Sequence, residues 1–316
     1  MRVLITGGAG YIGTELTHKL GQHEQVEDIV IYDNLSRKNY NLFLSEKISG
    51  KNIQFVYGDI LDSRKLKSVL EGVDVVVHLA AKVSTPFANE DPHLFEQVNH
   101  WGTAELSYAI EASDVKKVIY MSSISIYGAR KEPVDENTTP NPKTYYGISK
   151  LNGEKMIQRL AAGRETFVLR CGNVYGYSKS MRFDAVINKL MFEAQFKNKI
   201  NIQGSGDQQR AFIQIDKVTS ALTRFIFDVN IPAGNYNLVD KNMSVNAIID
   251  SLKQVYPELE MIFVQQDLNL KNIIVKKNAG LDSYNLFEQS DFLEELKEFK
   301  EHFAFSPPNS ILTMQV

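Results

Sequence analysis

The sequence predicts an α/β fold, a doubly wound parallel sheet followed by a smaller, mixed α+β C-terminal substrate lobe. Three observations predict it. Six short runs rich in Val and Ile, each followed by a helix-like stretch, fill the first half of the chain. These runs barely alternate apolar with polar residues, as expected of strands covered on both faces, and strands separated by helices imply right-handed parallel crossovers. The first run also ends in clustered glycines that open a helix.

"RVLIT" runs into Gly7, Gly8, Gly10 and Gly13 and then into helical "TELTHKL". Further strands are expected at "DIVIYD", "IQFVYGD", "DVVVHLA", "KKVIYMSS" and "TFVLRC", with helical "GISKLNGEKMIQRLAA" between the last two. Beyond residue 172 the pattern loosens into helical "FDAVINKLMFEAQF", a Gly-rich turn, an apolar "RAFIQI", a helix opened by Asp216, and a last helix from Phe292 to Phe303. The Pro-Pro tail after it is expected to fray. The expected division is 1–172 plus about 212–230 for the sheet domain, and about 173–211 plus 231–316 for the lobe.

With 43% hydrophobic residues, a chain of 316 can bury a sizeable core. Its 35 basic and 38 acidic residues create no general basic field, so neither nucleic acid nor a membrane surface is an expected partner. No apolar run is long enough to span a bilayer, and the single cysteine, Cys171, cannot form an internal disulfide. With no leader-like start, a cytoplasmic location is expected. No metal-ligating pattern is identified.

The strand, glycine turn and helix together are the context of a phosphate-binding loop: glycines let the backbone approach a pyrophosphate at the helix N-terminus. Asp33 closes the second strand, 20 residues beyond Gly13 (33 − 13), where a carboxylate accepts hydrogen bonds from an adenosine ribose. Its charge opposes a 2′-phosphate and so favours NAD over NADP, although Ser36, Arg37 and Lys38 follow closely and can offset it. Asp59 and Ile60, after the third strand, suit an adenine edge and face. In "YYGISK", Tyr146 and Lys150 stand one helical turn apart. Tyr127 with Lys131 and Tyr175 with Lys179 share that spacing, yet only Tyr146 opens a long helical stretch.

The motifs "TGGAGYIG", "YDNLS", "GDILD", "HLAA", "VNHWGT", "MSSISIYG" and "YYGISK" together resemble the extended short-chain dehydrogenase/reductases. The branch most resembled is that of the sugar-nucleotide epimerases and dehydratases, which includes UDP-galactose 4-epimerase. The resemblance implies a Rossmann domain that binds NAD through Gly7, Gly10, Tyr11, Ile12 and Gly13, then Asp33, Asn34, Asp59 and Ile60. It adds Leu79, Ala80 and Ala81 lining the groove and Asn99 supporting the active-site helix. Ser123, Tyr146 and Lys150 become the catalytic set, with Tyr146 as acid and base and Lys150 lowering its pKa while holding the nicotinamide ribose. Ser122 is expected as a backbone-bonded strand-end residue. Ser84, Ser123, Asn173 and Arg210 are the implied substrate contacts for a nucleotide-diphosphate sugar, and a homodimer through helices at about 92–112 and 146–162 is implied.

The positions after Ser123 separate chemistries within the resembled family. Dehydratases carry Asp-Glu there, decarboxylases a Glu and 3,5-epimerases a Cys at the second position, whereas this chain has Ile124 and Ser125. That leaves hydride chemistry at one carbinol carbon, so the expected function is an NAD-dependent 4-epimerase working through a transient 4-keto sugar. A 4-ketoreductase is the alternative, with a CDP-sugar 2-epimerase and a non-catalytic NAD sensor behind it. Two departures bear on the substrate: the familiar Arg-Asp-Phe is Arg-Ala-Phe here, and no arginine follows Arg224, leaving Lys271, Lys276 or Lys277 for the diphosphate.

Overall fold

The computed structural model describes residues 1–44, 47, 51–83, 91–264, 272–276, 281 and 283–305. The six apolar runs become strands β1 (Arg2–Thr6), β2 (Asp28–Asp33), β3 (Asn52–Tyr57), β4 (Val75–His78), β5 (Lys117–Ser123) and β6 (Glu165–Cys171). Between them lie helices α1 (Tyr11–Gly21), α2 (Ser63–Val69), α3 (Pro92–Phe95), α4 (Gly102–Glu111) and α5 (Tyr145–Gln158), with a π-helical turn, Glu96–Trp101, joining α3 to α4. On β1 and β2, Val3, Ile5, Ile29 and Ile31 face one core with Leu16 and Leu20 of α1, while Leu4, Val30 and Tyr32 face another with Leu66 and Leu106. Both faces of the sheet are therefore covered at β1 and β2, which read as unbroken apolar runs, while the outer strand β3 leaves Phe55 and Tyr57 exposed.

Later in the chain come β7 (Asn173–Tyr175), α6 (Val186–Lys197), β8 (Lys199–Gln203), β9 (Gln209–Gln214), α7 (Ile215–Phe227) and β10 (Gly234–Leu238). The main sheet has seven strands in the order β10-β6-β5-β4-β1-β2-β3, every pair parallel. Strand order reverses between β1 and β4, which opens a crevice beyond their carboxyl ends. One segment departs from the expected division: β10, inside the 231–316 span assigned to the lobe, pairs with β6 from Gly234↔Phe167 to Leu238↔Cys171. Its sequence, Gly-Asn-Tyr-Asn-Leu, lacks the Val/Ile run of the other strands, so pairing rather than composition defines it.

The remaining elements are β11 (Lys241–Ser244), α8 (Val245–Val255), β12 (Glu260–Val264) and α9 (Phe292–Glu301). β11, β9 and β7 make a three-stranded mixed sheet, and β12 pairs with β8 in parallel. Around them α6, α8 and α9 bury Met191, Leu252 and Leu296 with Tyr175, Ile200 and Phe212.

Candidate active site

The glycine turn is shaped for close approach. Gly7 adopts φ +71°, and a Cβ there would lie 2.6 Å from the Ala80 nitrogen; one on Gly13 would lie 2.6 Å from the Gly7 carbonyl oxygen. Turn, α1 and the end of β4 therefore meet backbone to backbone. The Leu79 amide donates to the Thr6 carbonyl at 3.0 Å and the Ala80 amide reaches the Thr6 hydroxyl at 3.4 Å. The N-cap of α1 is Gly10, with no side-chain cap, so the helix opens with backbone N–H groups suited to an anion. The Tyr11 hydroxyl is engaged within the protein, donating to the Gly176 carbonyl (2.6 Å) and accepting from Asn188 (3.1 Å).

Asp33 ends β2 facing this turn, accepting the Ala9 amide at 3.0 Å and the Leu35 amide at 2.8 Å. Burial raises its pKa, and the two amides pull the other way. The Asn34 side-chain amide donates to Asp59 at 2.9 Å, while Ile60 is buried against Gly102. Glycine turn, uncapped helix start and strand-end carboxylate fit a dinucleotide.

Below Lys150, the buried His78 links Thr6 and Thr103. Thr103 donates its hydroxyl proton to the Asn99 carbonyl at 2.6 Å, so it accepts from His78 Nε2–H, and His78 Nδ1 accepts from Thr6. Burial and the Lys150 charge lower the His78 pKa to about 3, which keeps the ring neutral. Asn99 exchanges two hydrogen bonds with the Lys82 backbone (2.8 and 2.9 Å) and donates to Ser149 at 3.0 Å. Ser149 in turn donates to the Tyr146 carbonyl, so Asn99 ties the segment after β4 to α5.

Thr144 caps α5 by accepting the Gly147 amide at 3.1 Å. Tyr146, Lys150 and Glu154 then follow at intervals of four and share a face. Burial raises the Tyr146 pKa, opposed by a hydrogen bond with Ser123 and by the charge of Arg182. The Lys150 ammonium, buried, sits 4.6 Å from the centre of the Tyr120 ring. Burial lowers its pKa to about 7 against the pull of Glu154. Ser123 donates to Ser125 at 3.1 Å and accepts the Ser125 amide at 3.2 Å. Cys171, the register partner of Ser123 on β6, has its thiol pushed up to about 12 by burial and is no base at neutral pH. Ser123, Tyr146 and Lys150 are thus assembled at the carboxyl end of β5.

Ser122 differs from expectation: its hydroxyl donates to Glu154 at 2.5 Å rather than to backbone. Glu154 also takes a two-pronged ion pair from Arg170 (3.2 and 3.0 Å), whose third nitrogen donates to the Tyr127 hydroxyl at 2.9 Å. Sequence reasoning passed over this network. Its signal was Arg170 itself, a guanidinium after the apolar run Phe167–Val168–Leu169, which must find a carboxylate when buried. The two decoy tyrosines are structural: Tyr127 donates to Asn237 at 2.8 Å, and Tyr175 donates to Glu295.

Of the expected substrate contacts, Asn173 and Arg210 lie on neighbouring strands of the small sheet. Asn173 donates to the Ala211 carbonyl at 3.0 Å, and burial lowers the Arg210 pKa. Ser84, Lys271 and Lys277 fall outside the described residues. Lys276 pairs with Asp135 at 3.2 Å. Arg182, whose field reaches both Tyr146 and Tyr11, is a cation the motifs did not reveal.

Similar sequences and folds occur among proteins named as nucleotide-sugar epimerases and dehydratases. A putative UDP-glucose 4-epimerase of Methanocaldococcus jannaschii is 33% identical over 262 residues, covering 79% of this chain and 81% of its own. A human dTDP-D-glucose 4,6-dehydratase is 32% identical over 275 residues, covering 82% and 76%. The solved UDP-N-acetylglucosamine 4-epimerase of Methanobrevibacter ruminantium M1, in complex with UDP-N-acetylmuramic acid, superposes with a TM-score of 0.80 at 25% identity, over 95% of this chain and 97% of that one. A sequence model of the NAD dependent epimerase/dehydratase family matches residues 3–238, so the chain belongs to that family of enzymes and its cofactor is NAD.

Proposed function

We propose that the chain is an epimerase acting at C4 of a nucleotide-diphosphate sugar. The observation that carries it is a Tyr146–Ser123–Lys150 set next to Ile124 and Ser125, neither of which supplies the extra acid or base that elimination requires. Overall similarity alone does not choose, because relatives named epimerase and dehydratase are nearly equally identical. NAD would supply an acceptor and donor of hydride. The protein's own part is proton handling: Ser123 holds the sugar oxygen, Tyr146 takes and returns its proton, and Lys150 in its charged form stabilises the phenolate. Asn173 and Arg210 anchor the diphosphate side, and Arg182 supplies a further cation near Tyr146. The exposed Trp101, Tyr108, Tyr145 and Ile148 along the π-helical turn, α4 and α5 support a homodimer through these helices.

Incubation with a panel of UDP, CDP, GDP and dTDP sugars, without added cofactor, tests the reading. A substrate deuterated at C4 should give its epimer with the label retained over many turnovers. Stoichiometric consumption of NADH or NADPH with a 4-keto sugar would make the enzyme a ketoreductase instead.

A further inference from the structure

The loop after β2 folds into a tight turn, with the Lys38 amide donating to the Leu35 carbonyl at 2.8 Å and both residues at positive φ. This turn carries Arg37, four residues past Asp33, the kind of arginine that elsewhere receives the 2′-phosphate of NADP. Here its guanidinium reaches across to the segment leading into α6 and meets the Asp184 carboxylate at 3.3 Å. Asp184 is itself fixed, accepting from Arg182 Nε at 3.1 and 3.2 Å and from its Nη2 at 3.2 Å. The segment bearing Asp184 is moored to the nucleotide side of the fold. Ser180 accepts from Thr14 of α1 at 2.8 Å, the Lys179 amide donates to Glu15 at 2.9 Å, and the Lys179 carbonyl accepts from Asn41 at 2.5 Å.

We infer that Asp184 is a specificity-determining residue for the cofactor: by engaging Arg37 it denies NADP its cationic partner, so that Asp33 alone faces the ribose. The inference rests on the reading that the adenosine ribose lies at Asp33. It deepens the epimerase proposal, since an enzyme that returns the hydride it removes gains from holding one NAD and refusing the cellular reductant NADPH. The pair is partly exposed, so its worth lies in where it keeps a charge rather than in stability.

The test is displacement of bound NAD from the holoenzyme by added NADP. Asp184→Ala and the gentler Asp184→Asn should each lower the NADP concentration required by roughly tenfold, the size of one charge-assisted contact to a phosphate. Arg37→Ala alone should leave it unchanged, and Arg37→Ala combined with Asp184→Ala should cancel the gain. An unchanged requirement in both Asp184 variants, a gain that survives in the double variant, or weaker NADP competition in Arg37→Ala alone would each overturn the inference; the last reads out even where the Asp184 variants fold poorly. Asp33→Ala separates the two readings. If it leaves NAD retention untouched, the ribose assignment fails; if it weakens NAD while the Asp184 variants change nothing, only the role of Asp184 fails.

Discussion

Three tyrosines precede a lysine by four residues, and their hydroxyls do different work. Tyr146 faces Ser123, whereas Tyr127 serves the buried Arg170 and Tyr175 serves the buried Glu295. Tyr146→Phe should therefore lower kcat by roughly 10²–10⁴-fold with NAD retention and melting temperature nearly intact, because the ring stays and only the proton path goes. Tyr127→Phe and Tyr175→Phe should do the reverse, keeping turnover while costing about 1–3 kcal/mol through a buried charged group left short of a partner. Steady-state kinetics beside thermal melts of the three variants decide it, and a catalytic collapse in either decoy would count against the assignment. Lys150 gives a pH signature. Its unfolded pKa is the ordinary 10.5 and its folded value about 7, so between these the unfolded chain holds the extra proton and folding gains from rising pH. In cofactor-free protein, wild type should gain stability relative to Lys150→Met from pH 7 to 10, by up to about 1.4 kcal/mol per pH unit. A flat difference in urea titrations across that range would show that Lys150 is not desolvated.

At the scale of elements, legibility followed how local the physics was. β1, β2, β4, β5 and β6 could be read because both faces of each are buried, leaving runs that need no partner to be recognised, whereas β3, an outer strand with Phe55 and Tyr57 exposed, was legible from its β-branched and aromatic content. β10 could not, since a Gly- and Asn-bearing edge strand is defined by pairing with β6. The glycine turn was legible because Gly7 needs a positive φ and contact with Ala80 that other residues resist. Tyr146 and Lys150 were legible through helical spacing and context. Ser122 was misjudged because its partner, Glu154, lies 32 positions away, and Arg182 and Asp184 were missed because no motif marks the segment before α6. Asn99 shows the intermediate case: a motif pointed to it, but its bonds to Lys82 and Ser149 belong to the folded chain.

Across the whole molecule, the seven-stranded sheet and the smaller sheets are joined by a buried charge cluster. Lys217 of α7 binds Asp240 at 2.6 Å and Glu295 of α9 at 2.7 Å, and Lys241 of β11 binds the same two carboxylates at 2.6 and 3.0 Å. Tyr175 and Ser290 also donate to Glu295. Two cations and two anions balance, so the cluster is sound only while complete. Lys217→Met leaves two buried carboxylates facing one ammonium and should cost about 3–5 kcal/mol in urea denaturation. Adding Glu295→Gln restores the balance between Lys241 and Asp240, so the double variant should be less destabilised than the sum of the two singles, by about 0.5–3 kcal/mol. Because α7 packs on the main sheet and α9 on the lobe that bears Arg210, the single variant should also raise KM for the nucleotide sugar more than it lowers kcat. Strict additivity of the two substitutions, or a KM untouched in a destabilised Lys217→Met protein, would mean that the cluster does not couple the two regions.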